Sequence, residues 1–92
     1  MSYRPELPLI VQSDRTILLE AQHPLFAEVR QALSGFAELI KSPEYIHTYR
    51  ITPLSLWNAA AGGLTAEQVT GVLSTYSKYG VPPSIVREIA ET

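Results

Sequence analysis

The 92-residue chain contains no cysteine. Disulfides, thiolate nucleophiles and cysteine-ligated zinc are therefore excluded. Charge is scarce as well: Asp, Glu, Lys and Arg supply 17% of the residues, against about 25% in an average soluble domain. No apolar run approaches the roughly 18 residues of a membrane span, and the N-terminus lacks a signal-peptide core. The expectation is a soluble cytoplasmic domain with no membrane partner. Seven basic residues against nine acidic ones leave a net charge of −2. A global basic footprint for nucleic acid is thus missing, and any such contact must use a local basic spot.

What the chain does contain is hydrophobic, at 46% of its residues. A chain of this size builds one modest core, so a domain plus a separate catalytic lobe is excluded. Apolar and poor in charge, it fits a domain that buries surface against a partner or against the rest of a longer chain. Residues 1–6 have no period and read as a flexible lead-in to a single domain over residues 7–92.

Leu7 to Gln12 and Thr16 to Glu20 are short apolar runs with β-branched residues, separated by Ser13-Asp14-Arg15. Ser and Asp suit a turn, and the segment reads as a hairpin. The period then changes. Leu25, Phe26, Val29, Leu33, Phe36, Ala37 and Ile40 recur at helical steps, which predicts an amphipathic helix over roughly 24–41, with Gly35 marking a close crossing. Residues 45–51 return to period two as a third strand, with Tyr45, His47, Tyr49 and Ile51 on one face and Ile46, Thr48 and Arg50 on the other. Thr52-Pro53 starts a short helix that Gly62-Gly63 ends, and Thr65-Ala66-Glu67-Gln68 is a capping-box pattern for the next. Ile85, Val86 and Ile89 mark a last helix. The expected fold is α+β: a small sheet of about three strands packed with about four helices.

Candidate chemistry is thin. There is no glycine-rich phosphate cradle followed by Lys and Ser/Thr, and Gly62-Gly63 sits where a helix end requires it. His23 and His47 lack the convergent partners of a metal site; His23 reads as a helix-entry residue and His47 as a polar strand side chain. No serine lies on a nucleophile elbow. The chain reads as non-enzymatic, with no metal or cofactor of its own. The helix after Thr65 follows a helix and turn, but it offers Glu67, Gln68, Thr70, Ser74 and Thr75 before its first cation at Lys78, a poor surface for reading DNA. Other basic spots are Arg15 at the hairpin tip, Arg30 on the long helix and Arg50 beside the strand aromatics. Strand aromatics near a cation can stack unpaired bases, although Tyr49 and Arg50 fall on opposite faces of an ideal strand. Trp57, Tyr76 and Tyr79 form a second aromatic set, suited to a core or to an interface.

The stretch 9–20 (LIVQSDRTILLE) with His23-Pro24-Leu25-Phe26, the stretch 46–60 (IHTYRITPLSLWNAA) with Gly63-Leu64-Thr65-Ala66-Glu67, and Tyr76-Ser77-Lys78-Tyr79 before Val81-Pro82-Pro83 together resemble the N-terminal domain of bacterial XPB-type DNA repair helicases. The resemblance covers residues 7–90. It implies a parent chain that continues into two RecA-like motor lobes, where ATP and magnesium would bind and drive 3′-to-5′ movement on DNA. It also implies an accessory role here, in recognising damaged or distorted DNA or in docking. Under the first role, Arg15, Tyr49 and Arg50 are the candidate DNA contacts, with Lys78 as an outlying phosphate contact. Under the second, Trp57, Tyr76 and Tyr79 face the motor lobes, a repair nuclease or another protein, and the isolated domain can self-associate.

Overall fold

The computed structural model describes residues 5–91, so most of the expected lead-in lies outside the described residues. Leu9–Val11 (β1) and Thr16–Glu20 (β2) form the expected hairpin. Its turn closes with Gln12 N–H donating to Thr16 O at 2.9 Å and Arg15 N–H donating to Gln12 O at 3.1 Å. Arg15 is left-handed, with φ 74°, in a position of such turns that glycine normally fills.

The long helix does not form as expected. Helix α1 spans only Phe26–Leu33, entered through His23, whose Nδ1 accepts the Leu25 N–H at 3.0 Å while its Nε2 meets Glu6 O. The helix stops at Ser34-Gly35, where Ala37 N–H returns to Leu33 O at 2.8 Å. A Cβ on Gly35 would lie 3.2 Å from Leu64 Cδ1, so this is a close crossing, located in a turn rather than within a helix. Phe36 and Ala37 are still buried, but by a reversal of the chain. Glu38–Lys41 becomes strand β3, exposed at every position, because the ladder of the next strand supplies backbone partners.

Ile46–Arg50 (β4) is that next strand, the one the period-two pattern indicates, and it pairs with β2. The sheet is antiparallel, in the order β1-β2-β4-β3, with a register shift between Leu39 and Lys41. The α+β class stands, with four strands rather than about three. Helices α2 (Pro53–Ala61), α3 (Ala66–Tyr76) and α4 (Pro83–Glu91) complete the order. Thr52 and Thr65 cap α2 and α3 through reciprocal capping boxes with Ser55 and Gln68.

The core lies on one side of the sheet. Leu9, Val11, Ile17, Leu19 and Tyr49 point into it and meet Val29, Leu33, Leu73, Ile85 and Ile89 of the helices. The alternate positions Ile10, Leu18, Thr48 and Arg50 are not buried. At the β1 edge, Lys78 N–H donates to Leu9 O at 2.8 Å and Leu9 forms a parallel bridge with Ser77. The outer edge of β3 has no such cover among the described residues.

Two stability outcomes follow from this geometry. Thr52 Oγ1 accepts the Ser55 N–H at 2.9 Å and donates to Glu38 Oε2 at 2.7 Å, linking a helix cap to the edge strand. Thr52→Ala is expected to cost about 1–2 kcal/mol in urea denaturation, more than the loss of about 1 kcal/mol for Thr65→Ala, which removes a cap alone. Arg15→Asn should leave the domain at least as stable as it is. A left-handed non-glycine residue costs about 1 kcal/mol or more, whereas an exposed ion pair such as Arg15–Glu88 (3.3 Å) contributes less than about 1 kcal/mol. A clear fall in the urea midpoint would instead show that this pair holds the hairpin to α4.

Candidate functional site

Arg15 and Arg50, which stand far apart in sequence, meet in the structure. The β2–β4 register sets Arg50 opposite Thr16, and both arginines line a cavity of about 300 Å³ with Asp14, Ile51, Thr52 and Pro53. This places two cations beside the N-terminus of α2, where the backbone favours negative charge. A carboxylate pairs with Arg15, and another stands in register with Arg50. Arg15 Nε lies 3.3 Å from Glu88 Oε2, and Arg50 stands in register with Glu38 across β3. Asp14 Oδ1 accepts the Thr16 N–H at 3.0 Å. That hydrogen bond, helped by the Arg50 charge, holds the Asp14 carboxyl below its ordinary value against a smaller opposing effect of burial. Its support of the turn is full above the ordinary value of 3.8 and is lost as pH falls through the lower folded value.

The other expected DNA contacts lie elsewhere. Tyr49 is 3% exposed and belongs to the core, on the opposite sheet face from Arg50, so its ring offers no platform for a base. Lys78 is drawn in rather than outlying: its side chain is 12% exposed, with Nζ 2.7 Å from Glu20 Oε2 and donating to Pro5 O at 2.8 Å. It clasps the residues before β1, the end of β2 and the loop after α3.

The second aromatic set divides. Tyr76 is half-buried and donates from its hydroxyl to Glu28 Oε2, tying α3 to α1. That bond, with lesser contributions from burial and the Glu28 charge, raises the Tyr76 phenol above its ordinary value. Tyr79 is 51% exposed and Trp57 65% exposed. On α2 the residues Leu56 and Ala59 turn inward while Leu54 joins Trp57 on the outside at 61% exposure. Leu54 also shares a cleft of about 150 Å³ with Gly35 and Glu38, which brings the exposed face of α2 up to β3, where Leu39 and Ile40 are each 52% exposed. Large apolar groups exposed in this number mark an interaction surface more often than ordinary monomer surface does.

One feature had little sequence signal. Between α1 and the β3–β4 hairpin runs a groove of about 640 Å³ lined by Arg30, Gln31, Leu39, His47 and Tyr49 among others. Arg30 reads as an isolated cation and His47 as a plain strand residue because the groove exists only once residues 38–41 form a strand. The only trace in the sequence is the period-two placement of His47 and Tyr49. Among the described residues no group of three His, Asp or Glu side chains converges as a metal site. His23 sits at the helix entry and His47 on β4. Gly62 and Gly63 close α2, with Gly63 at φ 96°. Among the described residues no helix is long and apolar enough to cross a membrane.

Comparison with known proteins gives this arrangement a context. A family model described as helicase conserved C-terminal domain matches residues 9–92. The DNA 3′-5′ helicase XPB of Mycobacterium tuberculosis is 55% identical over 85 residues, covering 92% of this chain and 16% of that protein. The DNA 3′-5′ helicase XPB of Kineococcus radiotolerans is 54% identical, with 92% of this chain and 15% of that protein covered. The general transcription and DNA repair factor IIH helicase/translocase subunit XPB of Schizosaccharomyces pombe is 42% identical over 73 residues, covering 79% of this chain and 9% of that subunit. The chain thus spans less than a fifth of the length of these relatives. On the match over residues 9–92 the chain belongs to the helicase conserved C-terminal domain family, and over that stretch it is similar to XPB-type helicases.

Proposed function

We propose that this domain is a non-catalytic accessory module of an XPB-type 3′-5′ DNA repair helicase, placed ahead of the motor lobes, that docks on them and assists the engagement of DNA. The observation that carries the reading is the sheet. Phosphate-binding motor lobes are built on parallel strands, with the nucleotide at their carboxyl ends and helices on both faces. Here the strands are antiparallel, the core residues come from one face, and no phosphate cradle occurs in the sequence. ATP and magnesium then belong to the rest of the parent chain.

The docking half of the proposal rests on Leu54 and Trp57, exposed together on α2. Docking without any DNA contact is the second reading. It is favoured by the ion pairs Arg15–Glu88 and Lys78–Glu20, which commit two of the candidate cations within the domain. A repair nuclease is a further partner that the same apolar surface could seat.

The test is a binding titration between this chain and the remaining part of the parent helicase, followed by ATPase and unwinding assays on the intact protein. Trp57→Ala should weaken association by about 2 kcal/mol, roughly thirtyfold, as expected for a buried aromatic anchor. In the intact helicase it should depress unwinding while basal ATP hydrolysis stays close to the parent value. ATP hydrolysis by the 92-residue chain alone would overturn the accessory role, and undiminished association of the Trp57 variant would overturn the docking surface.

A further inference from the structure

We propose that the groove between α1 and the β3–β4 hairpin holds one nucleotide of single-stranded DNA, with its phosphate on Arg30 and its base against Leu39 and His47. The proposal deepens the DNA-engagement half of the proposed function and rests on it.

Charge is the first argument. The chain carries a net charge of −2, and the arginine pair at the hairpin is surrounded by Asp14, Glu38 and Glu88. No carboxylate lines the groove. Its one permanent charge, Arg30, is exposed and enters no salt bridge among the described residues. The Arg30 guanidinium lies 5.9 Å from the centre of the Phe26 ring, which steadies its plane and leaves its N–H donors unspent. A cation without an acidic neighbour, in an acidic protein, is the local basic spot that a phosphate requires.

Shape and polarity supply the second argument. The groove's volume of about 640 Å³ falls within the range of small-ligand sites. Its wall is mixed in the way a base demands. Leu39 contributes half-exposed apolar surface. His47 stands edge-on to Phe26, with ring centres 5.0 Å apart and planes at 89°, and its Nδ1 is buried without a hydrogen-bond partner. Such an atom costs free energy while unpaired, and a base whose entry turns the ring outward would supply a partner for it. Gln31 and Ser34 add further polar groups. Tyr49 also lines the groove. Burial holds its phenol above its ordinary value, with the Arg30 charge offsetting part of the effect.

The occupant follows from the same features. A duplex presents its bases inside a stack and needs several cations along the backbone, whereas a single strand can turn a base into a groove that has one cation and an apolar wall. An acidic peptide would satisfy Arg30 but has no flat edge for His47 and Leu39.

The test uses a fluorescein-labelled oligothymidylate titrated with this chain at two salt concentrations, together with amide chemical-shift mapping. Binding should shift amides on α1 near Arg30 and on β3 and β4 near Leu39 and His47. Arg30→Gln should weaken binding by roughly three- to fivefold and lower the salt slope by about 0.7, the contribution of one phosphate on a single strand. Arg87→Gln, an equal change of charge on α4, should leave affinity and slope near those of the parent. Binding that maps to Arg15 and Arg50 and ignores Arg30→Gln would overturn the groove while leaving DNA engagement in place. Absence of binding at low salt would overturn both. A polyglutamate peptide that shifts the same amides and displaces the oligonucleotide would overturn the nucleotide and make the groove a site for acidic peptides.

Discussion

The pairing of β2 with β4 is the constraint on which the rest of the domain depends. Thr16 through Glu20 run antiparallel to Ile46 through Arg50, and the ladder is extended by Ile51 N–H to Arg15 O (3.0 Å) and by Ala21 N–H to Tyr45 O (2.8 Å). These segments are distant in sequence, so closing the loop between them costs chain entropy that local contacts do not return. The register repays it by placing Ile17, Leu19 and Tyr49 on one face together. A slip of one residue would turn that set to solvent, so the buried face fixes the alignment. β1 and β3 are then added at the two flanks of an established centre.

A sheet covered on one face has consequences for charge. Two salt bridges among the described residues tie chain segments to one another: Arg15–Glu88 joins the hairpin to α4, and Lys78–Glu20 joins the loop after α3 to β2. With few charges available, architecture takes a large share of them. The cations left for a ligand are those that the fold does not use, and for this reason the hairpin arginines are less free than their positions in the sequence suggest. The same economy explains the exposed rings. An apolar chain with one modest core cannot bury every large group, and the surplus appears as Leu54 and Trp57 on α2 and as Leu39 and Ile40 on β3.

The parts of this structure legible in the sequence are those decided locally. Thr16 to Glu20 forms the strand its residues indicate, β4 differs from expectation by one residue at each end, and Thr52 and Thr65 cap helices through their own hydrogen bonds. The segment after Leu33 was not legible, because Phe36, Ala37 and Ile40 keep helical phase by coincidence. What ends the helix is a turn at Ser34-Gly35 together with the edge of β4, a partner that no short window contains. The candidate site divides in the same manner. The opposition of Tyr49 and Arg50 across the sheet is a property of alternation and could be read. The clasp of Lys78 on Glu20 and Pro5, and the groove beside Arg30, depend on long-range placement and could not.

That strand also links the two surfaces on which function is argued. Leu39 of β3 forms a wall of the groove, while Glu38 beside it lines the cleft shared with Leu54 and accepts the Thr52 hydroxyl that caps α2. β3 is an edge strand, held through β4 alone and interrupted by an irregular register between Leu39 and Lys41. Edge elements with few buried contacts open at lower free energy than central ones. A partner seated on α2 that orders β3 would therefore order one wall of the groove as well. By reciprocity, a nucleotide in the groove would favour the docked arrangement by the same coupling free energy. On the proposed function, grip on the strand and attachment to the motor would then be two expressions of one short, weakly held strand.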